Sequence, residues 1–325
     1  MFVKPFQKSY SLLQLEVLVK RLMASHEQFS EFQDIYKNRM AGYKGEFSTK
    51  YPLSFLPKDD YFIFHNLRLF DGSHYFQLDI LVLSIHTAII LEVKNMAGTL
   101  IFDIPSHQLI QINRDAKKAF QDPLVQVDRQ TNQLEKFLLY HSLPKIPVES
   151  VVVISSPSTI IKINHEHPAS FENKIIHAVR LPQTISSLEK KHNPQITTLN
   201  TIAAMSPIFL ENHSELKQDI LTKSNLSSKV IKKGVICPKC SAIPMSRKRG
   251  FWLCLSCKAS YQDAHINALK DYVYLFDPYI SNQKAREFLM LSSESATRNL
   301  LTSLNVPRIG ERKGRLYKIG TLIDN

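Results

Sequence analysis

Apolar residues along this chain recur first at helical and then at strand spacing. Leu12, Leu15, Val19 and Leu22 lie three or four apart, as do Phe29, Phe32 and Tyr36. That period predicts two helices broken near residues 24–26, the second running to or beyond Glu46. Short apolar runs follow at residues 61–70, 75–83, 87–94, 99–102 and 108–112, with Gly72, Gly98 and the Pro105-Ser106 pair as turns. These runs predict strands. Pro123 opens another helix, with Leu124, Val127, Thr131, Leu134 and Leu138 on one stripe. Residues 148–155 and 174–180 read as two further strands. The sum is an α/β core, a mixed central sheet flanked by helices, closing near residue 182. Residues 183–226 read as helices that bridge to the next module, and 224–233 as a polar, basic linker ahead of Gly234.

Helical spacing returns near the C-terminus. Residues 281–291 predict one helix, a turn follows at Ser292-Ser293, and a second helix runs over 294–304. On the second helix Ala296, Leu300, Leu301 and Leu304 share one side, and Ser295, Arg298, Asn299 and Thr302 the other. Two short segments then flank Glu311, Arg312 and Lys313, with Arg308 and Arg315 beside them, as a hairpin tipped with cations. The module resembles a winged helix-turn-helix DNA-binding domain. A small helical cap is the alternative.

At 325 residues, with 44% hydrophobic and 22% charged residues, the chain suggests two or three packed domains and not a disordered polymer. No run of about 18 apolar residues exists to span a membrane, and Met1-Phe2-Val3-Lys4-Pro5 lacks the layout of a signal peptide. The expected location is the cytoplasm. The net charge of +12 is unevenly placed: residues 226–325 carry 17 Lys and Arg against 7 Asp and Glu. A polyanionic partner is the natural reading of such a segment, since each cation brought to a phosphate releases condensed counterions; a basic face that serves only solubility is the alternative.

All four cysteines fall in one stretch, Cys237, Cys240, Cys254 and Cys257, as two C-x-x-C pairs. That spacing presents four thiolates to one tetrahedral zinc, a structural site with no open position for water. Disulfides are the alternative, disfavoured in a reducing compartment. Between the pairs stand Arg247, Lys248, Arg249 and Trp252, suited to phosphate contact and base stacking. A Trp packed on the ribbon beside a solvated hairpin tip competes with that reading.

Asp79 interrupts one apolar run, and Glu92 and Lys94 stand two apart in the next. Residues two apart share a strand face, and a hairpin would bring Asp79 across from Glu92. Charge gathered on an apolar sheet is costly unless paired, and a divalent ion such as Mg²⁺ or Mn²⁺ supplies the pairing. Lys94 would orient water or stabilise charge on a phosphate. A solvent-facing strand carrying an ordinary Glu and Lys is the alternative.

Asp-x₁₂-Glu-x-Lys over adjacent strands is similar to the signature of the PD-(D/E)xK phosphodiesterases. Residues from about 40 to 155 resemble the nuclease-related domain NERD of that superfamily. The matching pieces are Gly42-Tyr-Lys-Gly45-Glu46, Leu78-Asp79-Ile80-Leu81-Val82, Ile90-Leu91-Glu92-Val93-Lys94-Asn95 with Gly98, and Asp122-Pro123-Leu124-Val125-Gln126 with Gln130. The resemblance implies a restriction-endonuclease-like fold with Asp79, Glu92 and Lys94 at the centre and the Val93 carbonyl as a further metal ligand. It implies an accessory acid in Glu46, and in Gln126 and Gln130 holders of metal, water or phosphate. No Pro-Asp dipeptide precedes the strand, a departure from the pattern.

His165 and His167, two apart, have a spacing that could chelate a metal, but Asn164 and Pro168 beside them favour a surface loop. No G-x-x-x-x-G-K-S/T, G-x-G-x-x-G or G-x-S-x-G motif is present. The expected layout is a helical lead-in (1–40), a nuclease-like core (41–182), a bridge and linker (183–234), a zinc ribbon (235–262) and a winged-helix-like module (263–325). The expected activity is metal-dependent cleavage of DNA. A non-catalytic DNA-binding regulator and an RNA-directed enzyme are the rivals.

Overall fold

The computed structural model describes residues 1–114, 116–192 and 196–323, with every side chain among them except that of Lys313. The chain forms two compact units, Met1–Ser9 with Asn38–Leu216, and Tyr10–Lys37 with Lys217–Asn325. After a short strand β1 (Phe2–Lys4) come the two expected helices, α1 (Tyr10–Arg21) and α2 (Phe29–Ser48).

The first unit is built on six strands. β2 (Phe62–Phe70), β3 (Tyr75–Leu83) and β4 (Ala88–Lys94) form an antiparallel meander, and β8 (Val148–Ile154) and β10 (Ile175–His177) extend it in parallel, in the order β1-β2-β3-β4-β8-β10. β4 is apolar without a break from Ala88 to Leu91 because both of its faces are covered there. One face, through Ile63, Ile80, Val82, Leu91 and Val93, packs on Leu53 of α3 (Lys50–Leu53) and on Leu181, Ile185 and Leu188 of α5 (Leu181–Lys191). The other, through Phe64, Leu67, Leu81 and Ile90, packs on Leu134, Phe137 and Leu138 of α4 (Pro123–Tyr140) and on Ile202, Met205 and Phe209 of α6 (Leu199–Glu211). Fully burying one such side chain is worth about 1.5–3 kcal/mol, so these two faces carry the fold.

A second sheet, ordered β7-β6-β5-β9, adds β5 (Thr99–Asp103), β6 (Gln108–Asn113), β7 (Ala116–Gln121) and β9 (Ile160–Asn164). Its Leu100, Phe102 and Leu109 pack on Val127 of α4 and on Val152 and Ile154 of β8. At the turn entering it, Gly98 has φ 90°, and a Cβ there would run into the Ile112 carbonyl.

Three expectations are corrected. α5 and α6 do not bridge modules: their apolar stripes cover the two faces of the main sheet. The 174–180 segment is a strand only over Ile175–His177. On α4 the buried stripe carries Gln130 and Phe137, with Thr131 only half-buried.

In the second unit, α1 and Phe32 of α2 pack with Leu221, Leu226, Ile231 and Leu275. α1 is held further by Arg21, fully buried, whose Nε donates to Asp271 Oδ2 at 2.7 Å. The N-terminal residues are therefore no free lead-in: β1 belongs to one unit and α1 to the other. The remaining elements are α7 (Ile220–Lys223), β11 (Ser246–Arg247), β12 (Trp252–Leu253), β13 (Ser260–Tyr261), α8 (Ala264–Leu275), β14 (Tyr279–Ser281), α9 (Asn282–Leu289), α10 (Glu294–Ser303), β15 (Arg308–Ile309) and β16 (Leu316–Lys318). β11-β12-β13 and β14-β16-β15 are two small antiparallel sheets. One core joins them, from Val235, Met245 and Trp252 through Leu269 to Phe288, Leu301 and Tyr317. The expected boundary at 262–263 therefore cuts through a shared core, as expected of pieces too small to bury enough surface alone. On α10 the inward residues are Thr297, Leu300 and Leu301, whereas Ala296 is exposed.

Candidate functional site

β3 and β4 pair in regular register from Leu83 opposite Ala88 to Ile80 opposite Leu91. One step further along stand Asp79 and Glu92, and there a side chain takes over from the ladder. Asp79 Oδ2 accepts the Val93 amide at 2.9 Å. β2 is also irregular at this level. His65 lies opposite Ile80 and Leu67 opposite Leu78, which puts Asn66 opposite Asp79. Asn66 has φ 52°, in the left-handed region that asparagine tolerates better than branched residues. Strict alternation slips there, so that Phe64, Leu67 and Leu69 all share the α4 face.

Glu92 is 3% exposed. Its Oε1 accepts from Lys94 Nζ at 2.6 Å and its Oε2 from Gln130 Nε2 at 3.0 Å. Lys94 Nζ also donates to Gln126 Oε1 at 3.2 Å, and Gln130 Nε2 to the Gln77 carbonyl at 3.0 Å. The two glutamines reach the site because α4 starts where it does. The Asp122 side chain accepts from the Leu124 amide, Pro123 occupies the first turn, and Gln126 and Gln130 follow one turn apart. Gln130 Oε1 is buried without a partner.

Glu46 arrives from α2. A Cβ on Gly45 would lie 2.5 Å from Asn95 Cβ and 2.8 Å from Ser155 Oγ, so only glycine lets the helix approach the end of β4. Asn95 Nδ2 ties the contact by donating to the Ala41 carbonyl at 2.7 Å. Glu46 Oε2 lies 2.8 Å from Nε2 of the buried His65, whose ring stacks on Phe6. His65 Nδ1 is buried and unpartnered, which suits a lone pair better than an N–H and makes Nε2 the donor.

Desolvation raises the Asp79 pKa well above the ordinary carboxylate range, helped by the charges of Glu92 and Glu46 and opposed by the Val93 amide and Lys94. Carboxylates gathered so closely favour a proton or a cation among them. Three carboxylates stand against one ammonium, and Gln130 carries an orphaned amide oxygen; such hard oxygen donors suit a divalent ion, although Glu46, Asp79 and Glu92 do not bring three ligand oxygens within 4.8 Å of one another. Asp79 and Glu92 offer two ligands, and water or a carbonyl such as that of Val93 would complete the shell. His65 and Asn66 were not anticipated from the sequence, although two polar residues inside the apolar run Phe64–Leu67 were the available signal.

Among the described residues, the Cys, His, Asp and Glu groups that place three or more ligand atoms within 4.8 Å of one another reduce to Cys237, Cys240, Cys254 and Cys257. Sγ separations are 3.6 Å for Cys237–Cys257 and 3.5 Å for Cys240–Cys254. Zinc bonds of about 2.3 Å at tetrahedral angles require edges of about 3.8 Å, whereas a disulfide would be near 2 Å. The two C-x-x-C turns repeat the same backbone pattern. Cys237 N donates to Ala242 O and Cys254 N to Ala259 O, both at 2.9 Å, with Ser241 and Lys258 at φ 59° and 61°. The Cys257 amide lowers the Cys254 thiol to about 6, whereas Cys240, despite the Ala242 amide, is held up by its hydrogen bonds to Cys257 and Cys254. The quartet is compatible with structural zinc.

Trp252 is fully buried, its Nε1 donating to His265 Nδ1 at 3.2 Å, so the expected base-stacking role is corrected: this ring belongs to the core. Arg247 lies half-buried against that ring, 5.2 Å from its centroid. Lys248, Arg249, Asn299, Thr302, Arg308 and Arg312 are exposed, as is Arg298, which pairs with Glu294 at 2.9 Å. Arg315 is half-buried. The Lys313 side chain lies outside the described residues. His165 and His167 occupy a loop after β9, as expected. No helix among the described residues is long and apolar enough to cross a membrane.

Residues 41–155 match the model of the nuclease-related domain, NERD. Among solved structures, the chain is similar to the crystal structure of protein VC1899 from Vibrio cholerae, at 14% identity and a TM-score of 0.26. That match covers 55% of this chain and 42% of the other, so the chain spans less than half the length of that protein. A search of curated protein sequences returns no match.

Proposed function

We propose that this chain, in which residues 41–155 are a nuclease-related domain, is a metal-dependent nuclease that hydrolyses phosphodiester bonds in DNA. The observation that carries the reading is the meeting of Asp79, Glu92 and Lys94 at one end of paired strands, with Glu46, Gln126 and Gln130 around them. Asp79 and Glu92 would hold Mg²⁺ or Mn²⁺, with the Val93 carbonyl beside them. A divalent ion there acidifies water and offsets the charge of a phosphate.

The chain's own side chains do the rest. Lys94 brings a cation to the phosphate oxygens, and Gln126 holds its ammonium in place. Gln130 locks the Glu92 carboxylate through Oε2. Glu46, aimed by His65, is the carboxylate that takes a proton from the attacking water.

Holding of DNA is assigned to the basic C-terminal residues. β14, α9, α10, β16 and β15 are read as a winged helix, with Arg298, Asn299 and Thr302 on α10 reaching bases or backbone. Arg308, Arg312, Lys313 and Arg315 on the hairpin, and Arg247, Lys248 and Arg249 on the ribbon, would contact phosphates.

The test is a cleavage assay on supercoiled DNA with Mg²⁺ and with Mn²⁺. Wild type nicks or degrades the DNA, and Asp79→Ala or Lys94→Ala stops cleavage while salt-sensitive binding persists. Variants that cut as well as wild type overturn the site assignment. Binding without cleavage under either metal leaves a DNA-binding regulator with a nuclease-like fold. Competition with RNA at several salt concentrations decides the nucleic acid.

A further inference from the structure

We infer that Lys4 is a positioning residue for Asp79, its buried ammonium pinning the bend in β2 that stands opposite that carboxylate. The consequence for cleavage rests on the nuclease reading above; the positioning itself does not.

Lys4 is 6% exposed. A lysine is almost never so buried unless its charge is satisfied. Its Nζ donates to the carbonyls of His65 at 2.9 Å and of Asn66 at 3.1 Å. These carbonyls belong to the residues at which β2 leaves the regular extended form, Asn66 being left-handed at φ 52°. A left-handed residue turns its peptide out of the ladder, and a buried carbonyl turned away from its strand partner needs another donor. β1 runs parallel to β2 with a register shift between Phe2 and Lys4, which leaves the Lys4 side chain at the bend. Burial lowers the Lys4 pKa and Glu215 opposes the fall, so the ammonium has a counter-charge of its own.

The same two residues of β2 serve the site. His65 Nε2 holds Glu46 Oε2, and Asn66 lies across from Asp79, whose Oδ2 accepts the Val93 amide. A hydrocarbon at position 4 would fill the space but satisfy neither carbonyl. The bend would then relax towards a regular ladder, and Asp79 would rotate away from Val93 and Glu92. The lysine thus pairs two buried carbonyls that an apolar side chain of the same length would leave without a donor.

The experiment compares full-length wild type with Lys4→Met, which keeps length and loses all donors, and Lys4→Gln, which keeps one short donor and no charge. The readout is amide hydrogen exchange at Val93, whose partner is the Asp79 carboxylate, and at Val152, which donates to Lys174 O at 2.7 Å elsewhere in the same sheet. Val93 exchange is expected to accelerate at least tenfold in Lys4→Met, and less in Lys4→Gln, with Val152 unchanged. Where wild type cleaves DNA, kcat falls in the same order while KM holds. Unchanged Val93 protection in a folded variant overturns the inference, as does equal loss at Val93 and Val152, which is general loosening. If Lys4→Met does not fold, Lys4→Gln is judged by the same two amides. A wild type that never cleaves removes the nuclease reading, and the Val93 and Val152 rates still decide the role of Lys4.

Discussion

Gly42→Ala and Gly45→Ala add the same methyl group to the same helix, three residues apart, into opposite surroundings. At Gly42 a Cβ meets nothing within 4 Å. At Gly45 it would sit 2.5 Å from Asn95 Cβ and 2.8 Å from Ser155 Oγ. Both changes gain about 1 kcal/mol of helix propensity, which cancels when the two are compared. Carbon atoms pack at about 3.5–4.0 Å, so at Gly45 something must withdraw by about 1 Å. Ser155 Oγ can rotate, but Asn95 Cβ is fixed to the backbone next to Lys94, so α2 is the element that moves. Overpacking of this kind costs about 1–3 kcal/mol. The two melting temperatures should then differ by about 2–12 °C, Gly42→Ala being the more stable. Far-UV circular dichroism is the suitable probe, because the single tryptophan, Trp252, lies in the other unit. Movement of α2 also draws Glu46 from His65 and Ala41 from Asn95. A misplacement near 1 Å at a reacting group costs on the order of 100-fold in rate. Cleavage should fall by that order in Gly45→Ala and stay near wild type in Gly42→Ala. Equal stability and equal activity of the two variants would refute the close approach of α2 to β4.

Four other outcomes follow from the same geometry. Stripping zinc with a strong chelator should red-shift Trp252 emission, since the ring is buried among residues that the cysteine turns hold; emission unchanged after the metal is lost would show a core independent of the site. Burial, and then Arg247, depress His265 to about 4 from 6.5, so the unfolded chain takes up the proton first. The second unit should therefore lose about 3 kcal/mol as pH falls from 6.5 to 4, and denaturation followed at Trp252 should show the loss smaller in His265→Gln. Asp271→Asn leaves the buried Arg21 without its counter-charge and should cost about 3–5 kcal/mol in denaturant titration, most of it recovered by adding Arg21→Met. Arg308→Ala with Arg312→Ala should flatten the plot of log DNA affinity against log salt by about 2; an unchanged slope would remove the hairpin from the proposed DNA interface.

The two opening helices, the strands of the meander and the start of α4 were legible because each carries its own period or cap. Glu92 and Lys94 could be put on one face by their spacing alone, and the cysteine turns by theirs. β7 escaped notice because all six of its residues are exposed and show no alternation. α5 and α6 looked like a bridge because an amphipathic stripe says that a helix is covered, not what covers it. Trp252 sits in a basic, aromatic stretch that suits an exposed stacking surface equally well, and only its burial against His265 decides the matter.

Local chemistry, written in order along the chain, determined the elements, the four thiolates and the identity of the carboxylate–lysine trio. Tertiary structure alone decided how the residues around that trio are held. The family resemblance named Glu46, but not the His65 that holds it, and no periodicity relates Glu46, His65 and Lys4 to Asp79. They meet through one left-handed asparagine, one glycine without a Cβ and one buried ammonium. Each acts by removing a steric or hydrogen-bonding conflict with a partner distant in sequence, and such conflicts exist only once the chain is folded.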